Sequence, residues 1–287
     1  MKEIVIISGK GGTGKTSVAA ALATLVKNQA VVADCDVDAP DLHLVLSPTI
    51  KKREDFYSGV KAVIHTDKCT HCNLCKEKCR FDAIEIVEGK YRVIPLECEG
   101  CGYCSYICPV ETIELVDEKV GECYISETHY GSPMVHSQLG IGADNSGKLV
   151  AKVKKEAKQL ATEKGIEYVI VDGSPGIGCP VIASLSGADY VVFVTEPTLS
   201  GLSDLKRVWE LTNKFQIPAG CIINKADLNQ EVNNSIEEFL QVEGIDRLAT
   251  INYDTDFQSA ITSGISLIEH DRTKWGKVFS EIWNKIN

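Results

Sequence analysis
Glu3-Ile4-Val5-Ile6-Ile7-Ser8-Gly9-Lys10-Gly11-Gly12-Thr13-Gly14-Lys15-Thr16 reads as a short apolar strand running without a break into a glycine-rich loop. From Gly9 onward the loop fits G-x4-G-K-[ST], and a helical pattern over about 16–27 follows it. A strand before and a helix after are the setting in which such a loop cradles phosphate. Glycines let backbone N–H groups come close, Lys15 reaches the β- and γ-oxygens, and Thr16 offers its hydroxyl to Mg²⁺. The candidate nucleotide-binding residues are Gly9, Lys10, Gly11, Gly12, Thr13, Gly14, Lys15, Thr16 and Ser17.

Outward from that loop, residues 30–34 (AVVAD), 167–172 (EYVIVD), 190–195 (YVVFVT) and 220–224 (GCIIN) are again short, β-rich and nearly continuous. Strands covered on both faces look like this. Helical patterns lie between them at about 147–164, 201–215 and 231–242. The alternation predicts an α/β fold, a mostly parallel, doubly wound P-loop NTPase sheet that binds ligands at the carboxyl ends of its strands. The rhythm breaks over 63–116. That stretch reads as a module inserted into a surface loop, with 1–62 and 117–287 forming the two parts of the sheet domain.

Composition bounds the function. A hydrophobic fraction of 44% and a charged fraction of 24% fit a packed globular chain. No window approaches the ~18 uninterrupted apolar residues of a membrane helix, and the start of the chain has no signal-peptide pattern. A net charge of −10 without a basic stripe argues against nucleic-acid binding, because phosphate contacts need clustered Lys and Arg. The expectation is a cytoplasmic protein that uses neither nucleic acid nor membrane. Eight of the twelve cysteines fall between Cys69 and Cys108. In a reducing compartment such clusters are metal ligands more often than disulfides.

The insert is an internal repeat. Cys69, Cys72, Cys75 and Cys79 recur 29 residues later as Cys98, Cys101, Cys104 and Cys108, and Phe81–Ile86 recurs as Val110–Leu115. Each run has C-x2-C-x2-C-x3-C spacing, and the second ends in Pro109. Zinc sites are the alternative, but they usually show two C-x2-C pairs rather than four cysteines in one run. The spacing resembles that of two-cluster bacterial ferredoxins, in which the fourth cysteine of each run serves the other cluster. The resemblance implies an α+β ferredoxin-like insert with two [4Fe–4S] clusters. Cys69, Cys72, Cys75 and Cys108 would hold one, and Cys98, Cys101, Cys104 and Cys79 the other. Arg80 departs from the usual proline after the first run.

Lys10 gives the loop its deviant K-G-G-x-G-K-T form, and with it the chain resembles the MinD/Mrp/nitrogenase-iron-protein class of ATPases. The resemblance covers nearly all of the sheet domain. It implies that Lys10 reaches the partner's phosphates in a nucleotide-sandwich dimer and acts much as an arginine finger does. Asp34-Cys35-Asp36-Val37-Asp38 is similar to the class's first switch segment. By that match Asp36 orients the attacking water, Asp34 supports the Mg²⁺ shell, and Asp38 is a neighbour. Residues 169–176 (VIVDGSPG) resemble the Walker B strand and second switch, with Asp172 on Mg²⁺ through water. Lys10, Lys15, Asp36 and Asp172 thus make up the implied catalytic set. Asn224-Lys225-Ala226-Asp227 stands where the class reads the base, so Asn224 is the implied adenine contact. The same N-K-x-D pattern reads guanine in GTPases, which leaves GTP beside ATP.

Cys179 has two readings. It is a small buried residue at a helix start, or, as in the nitrogenase iron protein, a ligand to a cluster that bridges the dimer. Cys35 and Cys221 read as core. Residues 128–150, which include Asn145-Ser146-Gly147-Lys148, read as a long loop and then a capped helix. Trp275, Val278, Phe279, Ile282, Trp283 and Ile286 form a helical stripe without a polybasic face, so packing on the core is expected rather than membrane attachment.

Taken together, the resemblance implies an Mg·ATP-hydrolysing iron–sulfur protein, a homodimer or a heterodimer with a sister ATPase. Its nucleotide state would be coupled to electron transfer through two [4Fe–4S] clusters and to a protein electron-transfer or cofactor-assembly partner. The alternatives are a carrier or scaffold for Fe–S or other metallocofactor assembly, and a MinD-type positioning ATPase with a redox-sensing insert.

Overall fold
The computed structural model describes residues 1–140 and 146–287. In chain order its elements are β1 (Lys2–Ile7), α1 (Lys15–Val26), β2 (Ala30–Asp34), α2 (Leu42–Leu46), β3 (Thr49–Ile64), α3 (Leu74–Glu77), β4 (Ile84–Val87) and β5 (Lys90–Val93). There follow α4 (Tyr103–Tyr106), β6 (Ile113–Glu127), β7 (Pro133–Leu139), α5 (Ser146–Lys164), β8 (Tyr168–Asp172), α6 (Cys179–Leu185) and β9 (Tyr190–Thr195). The chain closes with α7 (Leu199–Lys214), β10 (Ala219–Ile223), α8 (Gln230–Glu243), β11 (Asp246–Thr250), α9 (Asp256–Thr262), α10 (Leu267–His270) and α11 (Arg272–Ile286).

Two compact units divide the chain. The first holds Met1–Glu54, Glu122–Leu139 and Ser146–Asn287. Its sheet runs in the order β11-β10-β9-β1-β8-β2-β7-β6-β3. From β11 to β7 the pairings are parallel, as the strand–helix alternation predicts. β1, β8, β2 and β9 are buried almost throughout because helices cover the sheet. Helix α1 (KTSVAAALATLV) lies in the main core, and its run of small side chains lets it sit close against the strands. Trp275, Phe279, Ile282 and Ile286 of α11 are at most 2% exposed, so the terminal stripe packs inward as expected.

Residues 128–150 are more than a loop. They contain β7, whose Met134–Ser137 is buried, before α5 starts at Ser146. Asn145 lies outside the described residues. Among the described residues, no helix is long and apolar enough to cross a membrane.

The second unit includes Asp55–Gly121, and the rhythm-breaking stretch 63–116 lies inside it. Its elements are short: the antiparallel hairpin β4–β5, the single-turn helices α3 and α4, and the inner lengths of β3 and β6. The sequence repeat is also a backbone repeat. His71, Asn73 and Asp82 have φ of 56°, 65° and 51°, and Gly100, Gly102 and Glu111, each 29 positions on, have 62°, 75° and 49°. Hydrogen bonds repeat too: Lys78 N to Leu74 O and Ile107 N to Tyr103 O are both 3.1 Å. A small core of Ala62, Ala83, Cys98 and Ile113 packs against Cys75, Cys79, Cys104 and Cys108.

Candidate functional site
Parallel pairing sets the first site. β8 lies between β1 and β2, with Asp172 level with Ile6 on one side and Asp34 on the other. The Gly9–Gly14 loop, the Asp34–Asp38 segment and the turn after Asp172 therefore leave the same edge of the sheet together. Two glycines are required by contact. A Cβ on Gly9 would lie 2.4 Å from Asp204 Cβ of α7, and Gly14 has φ +95° with Asn224 Nδ2 2.6 Å from where its Cβ would stand.

These segments line a cavity of about 620 Å³, with Ser8, Gly11, Gly12, Thr16, Asp36 and Asp38 on one side and Tyr253, Phe257 and Gln258 on the other. Lys15 is buried, its Nζ 2.7 Å from Asp172 Oδ1 and 3.4 Å from Asp36 Oδ2. Burial alone would lower its pKa, but Asp172, then Asp36 and Asp34, hold the ammonium above its ordinary value. Burial, then the nearby Asp172 charge, pushes the Asp34 carboxyl well up. Burial also raises Asp36, against the pull of Lys15. Three carboxylates thus face one ammonium.

The Asp34 Oδ2 and Asp172 Oδ2 atoms are buried with no hydrogen-bond partner, as are the hydroxyls of Thr13 and Ser17. An excess of hard oxygen donors with unsatisfied lone pairs fits a divalent cation such as Mg²⁺. Asp38 is exposed at the rim.

Asn224 is buried and lines the cavity, but its amide braces the loop. Nδ2 donates to Thr13 O at 2.8 Å, and Oδ1 accepts from Lys225 N at 3.0 Å. Asp227 Oδ1 accepts from Tyr253 N at 2.5 Å. Lys10 turns toward its own chain, with Nζ 2.7 Å from Glu196 Oε1. Glu196 is a residue that motif reading missed. Its only sequence signal is a carboxylate just past the end of a central strand. Phe257, Tyr253 and Gln258 carry no motif at all.

Cys179 is exposed at the first position of α6, which corrects its reading as a buried helix-start residue. Cys35 and Cys221 are fully buried, as expected, and Cys123 is buried too, which pushes its thiol up to about 11.

In the second unit, Cys79, Cys98, Cys101 and Cys104 line one cavity of about 530 Å³, together with Arg80. Cys69, Cys72, Cys75 and Cys108 line another, of about 20 Å³. None of the eight is joined in a disulfide. The Thr112 amide points at Cys108 Sγ at 3.5 Å. Among the described residues, no three His, Cys, Asp or Glu side chains are grouped so as to hold one metal ion. The larger cavity leaves room for a multi-atom group among its four thiols, whereas the smaller one holds about one water molecule.

A model of the CobQ/CobB/MinD/ParA nucleotide binding domain matches residues 4–268. An uncharacterized protein of Methanocaldococcus jannaschii is 36% identical over 287 residues, which are 99% of this chain and 96% of that protein. An iron–sulfur cluster carrier protein of Pyrococcus abyssi is 22% identical over 307 residues, 99% of this chain and 85% of the carrier. The septum site-determining protein MinD of Pyrococcus horikoshii, solved with Mg-ADP, has a TM-score of 0.58 at 19% identity, covering 99% of this chain and 95% of its own; that likeness is one of fold. The chain belongs to the CobQ/CobB/MinD/ParA nucleotide-binding family, and it is a P-loop ATPase of the MinD/ParA type.

Proposed function
We propose that this ATPase couples the nucleotide state of a dimer to one-electron chemistry at two [4Fe–4S] clusters held by its insert, 63–116. The observation that carries the reading is the sorting of eight cysteines. Each cavity of the second unit is lined by three cysteines of one run and the fourth of the other. Cys69, Cys72, Cys75 and Cys108 form one ligand set, and Cys98, Cys101, Cys104 and Cys79 the other. Bound there, the clusters would supply one-electron storage at a potential tuned by charge, hydrogen bonds and solvent.

The nucleotide work falls to the chain's own side chains. The backbone of Gly9–Gly14 receives the phosphates of ATP, and Lys15 neutralises the β- and γ-oxygens. Thr16, Asp36 and Asp172 hold Mg²⁺, Asp34 backs that shell, and Asp36 orients the attacking water. Asn224 holds the loop on the base side, where Tyr253 and Phe257 offer aromatic surface. Lys10 serves the partner subunit's phosphates. A coupling of about 1–3 kcal/mol between two sites equals roughly 40–130 mV for one electron at ~59 mV per tenfold. That is enough to change which acceptor is reduced.

An anaerobic, EPR-monitored redox titration with and without Mg·ATP tests this reading. A nucleotide-dependent shift of tens of millivolts is expected. Unshifted potentials would favour the second reading, an ATP-dependent carrier or scaffold for Fe–S assembly. The likeness to the iron–sulfur cluster carrier protein of Pyrococcus abyssi supports that reading, as does the exposed Cys179 thiol at the start of α6.

A further inference from the structure
An ammonium has three donors and no acceptor. The three donors of Lys10 meet three acceptors from one short segment: Glu196 Oε1 at 2.7 Å, Ser200 Oγ at 3.1 Å and Thr198 Oγ1 at 3.2 Å. That segment is the turn from β9 into α7, and Thr198 also caps α7 by accepting from the Gly201 amide at 3.0 Å. A cation placed there meets the positive end of the helix dipole, which disfavours it. The two hydroxyls alone are therefore a poor host. Glu196 supplies the charge that makes the position tenable, and its side chain is only 10% exposed.

The other oxygen of Glu196 is also committed. Oε2 accepts from Lys225 at 2.7 Å, and Lys225 donates to Gly12 O at 2.9 Å as well. If Lys10 leaves, Glu196 keeps a counter-ion. A nearly buried carboxylate with no partner would be the expensive result, and Lys225 prevents it.

We propose that Glu196 is a positioning residue that holds Lys10 within its own subunit, and that nucleotide-dependent association draws Lys10 away while Lys225 stays. The inference rests on the reading of Lys10 as a residue that serves the partner's phosphates. Holding Lys10 back reduces the fraction of molecules competent to associate, and the apparent dissociation constant of the dimer rises in proportion.

The test measures ATP turnover per chain across a range of protein concentrations, using the full chain handled anaerobically. Glu196→Gln keeps the side-chain shape and removes the charge. Half-maximal specific activity is expected at about tenfold lower protein concentration, the change that raising the competent fraction tenfold gives, with the KM for ATP unmoved. Ser200→Ala, which removes one acceptor and no charge, moves it the same way by less and serves if Glu196→Gln does not fold. An unchanged or higher onset in the folded variants overturns the proposal. So does an equal shift in the midpoint of dimerisation with a non-hydrolysable ATP analogue, read by sedimentation, when Glu196→Gln is made in a Lys10→Ala background, because Glu196 would then act through something else. If Lys10→Ala alone leaves turnover and its concentration dependence intact, the reading of Lys10 itself fails.

Discussion

Lys15 sits among more negative charge than it can neutralise. Asp34, Asp36 and Asp172 all act on its ammonium, and two of their oxygens have no hydrogen-bond partner. The pocket is therefore poised for added positive charge, which on the proposed function Mg²⁺ bound with a nucleotide would supply. Replacing Lys15 removes a charged hydrogen-bond donor worth about 1.5–3 kcal/mol. Lys15→Ala is expected to weaken Mg·ATP binding at least about 10–150-fold by calorimetric titration; an unchanged affinity would remove Lys15 from the site. These residues were legible because motif and strand end fix them locally. Glu196 was not, because only the tertiary contact of Lys10 with the start of α7 gives it a role.

Elements were legible where burial leaves a plain pattern. The strands β1, β2, β8, β9 and β10 are short apolar runs, and each stands within a residue or so of its expected place. The first length of β3 is mostly exposed, so it carries charge where a strand pattern would need apolar residues. β7 was hidden for the opposite reason, since His136 and Ser137 are polar yet buried. His136 accepts or donates with Ser126 Oγ at 2.8 Å and stacks on Tyr124 and His43. Burial, then the neighbouring His43, pushes its pKa down from 6.5 to about 4. The unfolded chain thus binds the proton more readily between those values. Stability from this group is present above pH 6.5 and is lost as pH falls toward 4, by an amount on the order of 3 kcal/mol. Urea unfolding across that range should show the loss, and His136→Gln should flatten the slope. A slope the variant leaves unchanged would assign the acid limb to other groups. Elsewhere the fully buried Glu3 of β1 is held at 2.7 Å by both Lys154 and Lys158 of α5, so β1 is tied to a helix by charge as well as by packing.

At the scale of the whole molecule, a nucleotide site and a cysteine-rich unit share one chain. The repeat was legible as spacing, and its backbone counterpart at 71/100, 73/102 and 82/111 explains why the spacing must be kept. The positive φ values at 71/100 and 73/102 turn the chain between successive cysteines of each run. Cys101→Ser is expected to halve the acid-labile iron and leave Mg·ATP binding unchanged. Normal iron content would sink the ligand assignment. Coupling between two sites is not legible in a motif, since it depends on states that a motif does not encode.

β3 and β6 are neighbours in the sheet, and Arg53 of one is ion-paired with Glu122 of the other where the chain passes between units. Topologically, Asp55–Gly121 occupies the place of a hairpin turn. Closing a loop grows more costly only with the logarithm of its length, about 0.6 kcal/mol for each doubling. A two-residue turn could thus have lengthened into a folded module without a break in the sheet's pairing order, which makes this connection a natural port of entry for foreign sequence.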